Sequence, residues 1–255
     1  MGESAGAASA HIHAAFGRPQ FQKVILQSGN ALCPWATTKA GGRSLAQRLA
    51  EELDCSAIDD LCHVDAGALV KAALKINGPM GRNVFVPDLM DSAFFPEGLA
   101  GLERPLGLPA IVGINADEGA FLAALFLSSK RISERLSDPS ESWNALGQAL
   151  LLANSSAAKA ARSEYFSDDE VIGWDSAGKL SQCISDAFFV HPFFRLLKAG
   201  SPPLFAYKYC HRGDASLPQI LTGGGDFGVS HFDEVLIQFD NKVNLSGADK
   251  WERDD

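Results

Sequence analysis

The stretch that decides the fold is Gly2-Glu3-Ser4-Ala5-Gly6 together with the helix-like segment AGAASAHIHAAF over residues 5–16. The first five residues match G-x-S-x-G, the pattern of a sharp strand-to-helix turn that exposes a serine hydroxyl. Small residues around the serine let the helix approach the strand closely, and the alanines favour helix. The same positions would also fit a glycine-rich N-terminal tail, so the motif needs support from the rest of the chain.

Short apolar runs alternate with amphipathic segments along the remaining sequence. Buried strands are predicted at KVILQ (23–27), PAIVGI (109–114) and LFAYKYC (204–210). Helices are predicted over 43–53, 142–152, 156–166, 231–239 and 176–198, the last one broken near His191-Pro192. This alternation predicts an α/β fold with a mainly parallel sheet. Only three strands are clear, which is few for a sheet that is buried on both faces.

Composition excludes several classes of partner and site. The 255 residues carry a formal net charge of -9 without a basic block, and nucleic-acid binding needs a basic footprint. No stretch is long and apolar enough to predict a membrane span. The five cysteines show no paired zinc-type motif. We therefore expect no zinc site of this type.

Two further residues stand where partners of Ser4 would be expected. A serine hydroxyl becomes a good nucleophile when a base takes its proton, and in α/β-hydrolases the order along the chain is Ser, Asp/Glu, His. Glu118 follows the predicted strand PAIVGI, at the carboxyl end where catalytic groups gather in open α/β sheets. His231 follows the last predicted strand and a glycine-rich loop.

Each of these two residues also has a purely structural interpretation. Asp117 and Glu118 precede Gly119, and acidic residues in that position often form a turn or cap a helix. His231 stands beside Phe232 and could be an ordinary, partly buried histidine. Neither residue identifies a catalytic site on its own.

Five blocks of the sequence carry a resemblance to a known family. The blocks are GESAGAASAHIH, FQKVILQSGNALCPWA, FVPDLMDSAFFPE, AIVGINADEGAFL and GVSHFDEVLIQF. Together they resemble the type-B carboxylesterase family, which includes the cholinesterases, nearly end to end. The resemblance implies an incomplete α/β-hydrolase fold, with residues 1–255 forming part of one carboxylesterase domain. The family's N-terminal half, the strand leading into the serine turn and the C-terminal helices are expected to be missing.

The resemblance implies specific roles in catalysis. Ser4 is the expected nucleophile, Glu118 the acid and His231 the base, with the backbone amide of Ala5 donating to the oxyanion. Glu118 is preferred to Asp117 because the family's D-E-G motif uses its glutamate.

Four more residues take supporting roles by the same resemblance. Ser28 is similar to a serine that supports the acid, and Trp35 to a residue of the acyl pocket. Cys55 and Cys62 resemble the ends of the family's small disulfide loop, although their spacing is shorter than usual.

The sequence departs from the cholinesterase pattern at the pocket and at the base. Gly81 and Asn83 stand where cholinesterases narrow the acyl pocket with phenylalanines, so a roomier and more polar pocket is expected. This favours a general carboxylesterase over an acetylcholine-specific enzyme. Phe232 replaces the family's usual glycine after His231, so the loop carrying the base is expected to pack differently.

Two kinds of function are compatible with these observations. The first is hydrolysis of small-molecule esters through an acyl-enzyme, which needs no metal and no cofactor. It would be slow in this chain because the family's glycine-rich oxyanion loop belongs to the missing half. The second is a cholinesterase-like adhesion or binding module, or an inactive relic. Such relatives usually lose a member of the triad, whereas all three are present here, which favours the enzyme.

Overall fold

The computed structural model describes most of the chain. The described residues are 1–17, 21–38, 42–76, 85–152, 154–200, 203–213 and 216–239.

Four parallel strands form one sheet in the order β1-β2-β3-β4. Their bounds are β1 Gly2–Glu3, β2 Val24–Gln27, β3 Ala110–Asn115 and β4 Leu204–Tyr209. Gln27 is paired with Glu3 on one side and with Gly113 on the other. The carboxyl ends of all four strands therefore meet at one edge, where the turns that follow them lie close together.

Strand β1 corrects the expectation that the strand leading into Ser4 would be missing. Gly2 pairs with Leu26, and Glu3 with Gln27, in parallel register. Two residues are too short to show the alternation by which a strand is recognised in a sequence. The pairing with β2 nevertheless fixes the direction in which the chain enters the serine turn.

Twelve α-helices occupy the described part of the chain. They are α1 Ala5–Phe16, α2 Gly42–Glu52, α3 Ala66–Ile76, α4 Gly98–Leu102, α5 Ala120–Ser128, α6 Lys130–Ser137, α7 Ser142–Ala149, α8 Ser155–Tyr165, α9 Ala177–Ser185, α10 His191–Ala199, α11 Leu217–Thr222 and α12 Asp233–Gln238. Two 3₁₀ turns in the described residues span Ile58–His63 and Trp174–Ser176. The helices predicted over 43–53, 142–152, 156–166 and 231–239 correspond to α2, α7, α8 and α12, whereas α3, α4, α5, α6 and α11 were not predicted.

The predicted break near His191-Pro192 is wrong. The chain stays helical from α9 into α10 through a π-helical turn, Asp186–Val190. The His191 N–H donates to the Asp186 carbonyl, five residues back. Proline lacks an N–H and clashes with the carbonyl four residues before it in an α-helix. The wider π turn immediately before Pro192 lets the helix continue.

One face of the sheet is packed against the helices, and the other is partly open. Leu26 and Val112 are each 1% exposed. On the opposite face, Ile111 is 41% and Phe205 61% exposed. Both faces of a parallel sheet are normally covered. In the described part of the chain, Ile111 and Phe205 instead form an exposed apolar surface on one face.

Among the described residues, none of the helices combines the length and the apolar character that crossing a bilayer requires.

His11 connects α1 to the loop that follows β2. Its ring is fully buried, and Nδ1 accepts a hydrogen bond of 3.1 Å from the Ala31 N–H. Burial lowers the pKa of His11 to about 4, because a charged imidazole is poorly solvated there. Helix α1, which follows Ser4, is therefore anchored by a neutral histidine.

This burial predicts a specific loss of stability in acid. The unfolded chain takes up a proton at the usual pKa of 6.5, while the folded chain resists it until about pH 4. Folding is thus disfavoured as the pH falls below about 6.5, by about 2 kcal/mol at pH 5. In His11→Gln, which keeps an acceptor for Ala31, the free energy of unfolding should fall by about 2 kcal/mol less than in the wild type between pH 7 and pH 5.

Urea denaturation at each pH measures this difference. His13→Gln, on the same helix but exposed, is the matched control and should follow the wild type. A His11→Gln curve parallel to the wild type at every pH would contradict the assignment.

Candidate active site

The serine turn places Ser4 at the junction of β1 and α1 in a strained conformation. Its φ is 54° and its ψ is -120°, a region that non-glycine residues rarely adopt. Its N–H donates to the Gln27 carbonyl at 2.9 Å, and its carbonyl accepts from the Ala8 N–H at 3.1 Å. A Cβ on Gly2 would lie 2.2 Å from the Gly6 carbonyl oxygen. Gly2 is therefore required by the close approach of strand and helix, whereas a Cβ on Gly6 would meet nothing within 4 Å.

Ser4, His231 and Glu118 form a continuous hydrogen-bonded chain. His231 Nε2 lies 2.8 Å from Ser4 Oγ, and His231 Nδ1 lies 2.8 Å from Glu118 Oε2. A carboxylate oxygen only accepts, so the proton belongs on Nδ1, and Nε2 is left to accept from the serine hydroxyl. The structure thus brings together the three side chains that the sequence analysis singled out.

The turn after β3 fixes Glu118. Its side chain is fully buried, and Oε1 accepts from the Asn115 N–H at 2.7 Å. The next residue, Gly119, donates its N–H to Ser185 Oγ at 2.8 Å, and a Cβ there would lie 2.1 Å from the Ser181 carbonyl oxygen. One carboxylate oxygen therefore closes the turn, as the structural interpretation expected, while the other faces His231.

Ala5 is the first residue of α1. An amide at the first helical position has no acceptor within the helix, and the helix N-terminus favours negative charge. The Ala5 N–H is therefore available beside Ser4. Among the described residues, no cluster of three or more histidine, cysteine or acidic side chains could hold a metal ion.

Glu3 is a site residue that the sequence analysis missed. Its Oε1 lies 3.2 Å from His231 Nε2, and its side chain is 15% exposed. Burial raises the pKa of Glu3 to about 7, opposed by attraction to His231 and assisted by Glu234 and Glu118. The only sequence feature that could have indicated Glu3 is its charge at the position between the glycine and the serine of the motif.

The pKa of His231 reflects opposing effects. Burial alone would lower it, but the hydrogen bond to Glu118, together with the charges of Glu118, Glu3 and Glu234, raises it above its usual 6.5. The imidazole is therefore a stronger base than a free histidine.

Ser28 does not contact Glu118, the acid that it was predicted to support. Its Oγ donates to Glu234 Oε1 at 3.4 Å, while Glu118 is held by Asn115 and His231. The Asn115 side-chain amide donates both to Glu234 and, at 2.7 Å, to the Ser230 carbonyl. Ser28 thus contacts a second buried glutamate rather than the predicted acid. Burial raises the pKa of Glu234, and no sequence pattern identified this residue.

The predicted acyl-pocket residues are only partly described. The Trp35 ring lies 5.9 Å from that of Phe189, and the Phe189 ring lies 4.8 Å from that of His231. Trp35 is thus one ring removed from the base. Gly81 and Asn83 lie outside the described residues. Phe189, which belongs to the π turn, was not predicted as a site residue.

The structure describes both cysteines of the expected disulfide and the residue that follows the base. Cys55 and Cys62 are both free thiols. Cys62 is exposed on the 3₁₀ turn, and the Cys55 thiol faces the Leu53 carbonyl. Phe232 adopts φ 79°, a left-handed conformation. The residue after the base therefore has a backbone conformation that glycine adopts more readily than phenylalanine.

Comparison with known proteins agrees with this architecture. Residues 1–255 match the profile of the Carboxylesterase family. The chain is similar to a carboxylic ester hydrolase of Bombus ignitus, at 28% identity over 96% of this chain and 48% of that protein. It is also similar to venom carboxylesterase-6 of Apis mellifera, at 25% identity over the same shares.

A solved structure supports the fold. Juvenile hormone esterase from Manduca sexta, with OTFP covalently attached, matches with a TM-score of 0.70 and 18% identity, over 92% of this chain and 48% of that one. The predicted α/β-hydrolase fold is thereby confirmed in incomplete form. The chain spans about half the length of the relatives that it matches. Since the family profile covers all 255 residues, the chain belongs to the carboxylesterase family.

Proposed function

We propose that this protein hydrolyses carboxylic esters through an acyl-enzyme formed on Ser4. The observation that carries the proposal is the pair of 2.8 Å contacts joining Ser4 Oγ to His231 and His231 to Glu118. A hydroxyl, an imidazole and a buried carboxylate in this order activate a serine for attack on an acyl carbon. The names of the related esterases support carboxylic esters as the substrate class.

In the first half of the reaction, Ser4 Oγ attacks the carbonyl carbon while His231 Nε2 takes the hydroxyl proton. Glu118 stabilises the imidazolium that forms and holds its orientation. The oxyanion accepts a hydrogen bond from the Ala5 N–H. His231 then returns the proton to the departing alcohol.

In the second half, water replaces the alcohol. His231 removes a proton from the water as it attacks the acyl carbon, and then returns that proton to Ser4 Oγ as the carboxylic acid leaves. The Phe189 ring beside His231, with the Trp35 ring packed behind it, supplies an apolar wall suited to the acyl group of an ester.

Covalent labelling separates activation of the serine from complete turnover. In serine hydrolases, each missing oxyanion donor lowers kcat by about 10²–10³. With Ala5 as the one assigned donor, slow turnover is expected even where Ser4 is activated. A fluorophosphonate reacts with a serine that its base has activated, and labelling does not depend on the deacylation step.

The first prediction is therefore selective labelling of Ser4. A fluorophosphonate should modify the folded chain at this residue, as located by peptide mass spectrometry, and Ser4→Ala should abolish the label. Ser9→Ala is the matched control, because Ser9 is on the same helix with its hydroxyl bonded to the Ala5 carbonyl. If the protein is folded by circular dichroism yet unlabelled, the proposal fails and a binding module is favoured.

The second prediction concerns pH. His231 must be neutral to accept the serine proton, and its pKa is raised by its acidic neighbours. The labelling rate should therefore increase with pH, with a midpoint above 6.5. Glu3, with a pKa of about 7, titrates in the same range, so the midpoint belongs to the pair.

Replacing Glu3 isolates its part in this profile. Glu3→Gln removes one of the charges that raise the pKa of His231, so the midpoint should move to lower pH. Glu51→Gln, an exposed change on α2, is the control and should leave the profile unchanged. A midpoint that does not move in Glu3→Gln would show that this carboxylate does not act on the base.

A further inference from the structure

A third acidic residue connects the turn that carries Glu118 to the loop that carries His231. Asp117 and Ser230 form an isolated parallel bridge. The Asp117 N–H donates to the Val229 carbonyl at 2.8 Å, and Asp117 Oδ2 accepts from the Val229 N–H at 2.9 Å. Backbone and side chain of one residue thus hold both polar groups of Val229.

The loop is shaped to receive this carboxylate. Gly228 has φ +73°, and a Cβ there would lie 2.2 Å from Asp117 Oδ2. Any other residue at 228 would therefore collide with the carboxylate as well as strain the backbone. The bare backbone at Gly228 leaves the space in which Asp117 reaches Val229.

The bridge between Asp117 and Ser230 lies next to two residues of the site. Glu118 and His231 are 113 residues apart, and each is the immediate neighbour of a bridged residue, Asp117 or Ser230. On the other side, the Ser230 N–H donates to Asp233 Oδ2 at 2.7 Å. The backbone leading into His231 is consequently fixed from two directions before the imidazole meets Glu118.

We propose that Asp117 is a positioning residue that sets the distance between Glu118 and His231. It acts through the Val229 amide, since its carboxylate contacts that loop and not the reacting atoms. This inference rests on the proposed function of Ser4. A hydrogen-bonding role of Asp117 can be distinguished from an effect of its charge, because the uncharged amide of asparagine at this position can accept the same bond through its oxygen.

The test compares Asp117→Ala with Asp117→Asn. The alanine variant should label with fluorophosphonate about 10- to 100-fold more slowly than the wild type, since misplacement by about 1 Å costs rates of this order. The asparagine variant should stay within about threefold because it retains an acceptor for Val229. Asp169→Ala, at an exposed site, is the control. Equal slowing in the alanine and asparagine variants, or in neither, would overturn the proposal.

Two NMR measurements test the same inference without relying on labelling. The Nδ1 proton of His231 should give a low-field signal in the wild type and Asp117→Asn that is lost or broadened in Asp117→Ala. In the unmodified protein, the Val229 amide should be protected from hydrogen exchange. A fully exchanging Val229 amide, or an unchanged His231 signal in Asp117→Ala, would overturn the proposal. If the wild-type protein shows both NMR signals but is not labelled at Ser4, the proposed function is rejected, whereas the positioning role of Asp117 is not.

Discussion

The hydrogen bond between Glu118 Oε2 and His231 Nδ1, 2.8 Å long, is the contact on which the rest of the site depends. It joins the turn after β3 to the loop before α12 and determines which imidazole nitrogen faces Ser4. The strained conformation of Ser4 is useful only if a base lies within reach of its hydroxyl. The parallel sheet makes this meeting possible, because it collects the carboxyl ends of its strands at one edge.

The sequence predicted the parts of the fold that have a clear hydrophobic pattern. KVILQ, PAIVGI and LFAYKYC are short apolar runs, and they correspond to β2, β3 and β4. Strand β1 has two residues and was recognised only through its partner β2. The continuous helix across Pro192 could not be predicted, because a π turn has no distinct periodicity and depends on the surrounding packing.

Within the site, the residues of the motifs were predicted and their neighbours were not. Ser4 and Glu118 lie in short patterns with a fixed spacing, and His231 follows them in the expected order. Glu3 and Phe189 approach His231 only through the tertiary structure, whereas Glu234 is three residues from it in the sequence. Glu3 and Glu234 both raise the pKa of the base, and the contribution of Glu3 depends on a tertiary contact that no local pattern encodes. The same holds for Ser28, whose partner is Glu234 rather than Glu118.

A double-mutant cycle on the labelling rate of Ser4 tests the central claim most directly. If Glu118 and His231 act as one unit, Glu118→Gln and His231→Gln should each slow labelling strongly, and the double variant should be little slower than the slower single one. If the two effects multiply, the carboxylate and the imidazole act independently, and the hydrogen-bonded chain is not what activates Ser4.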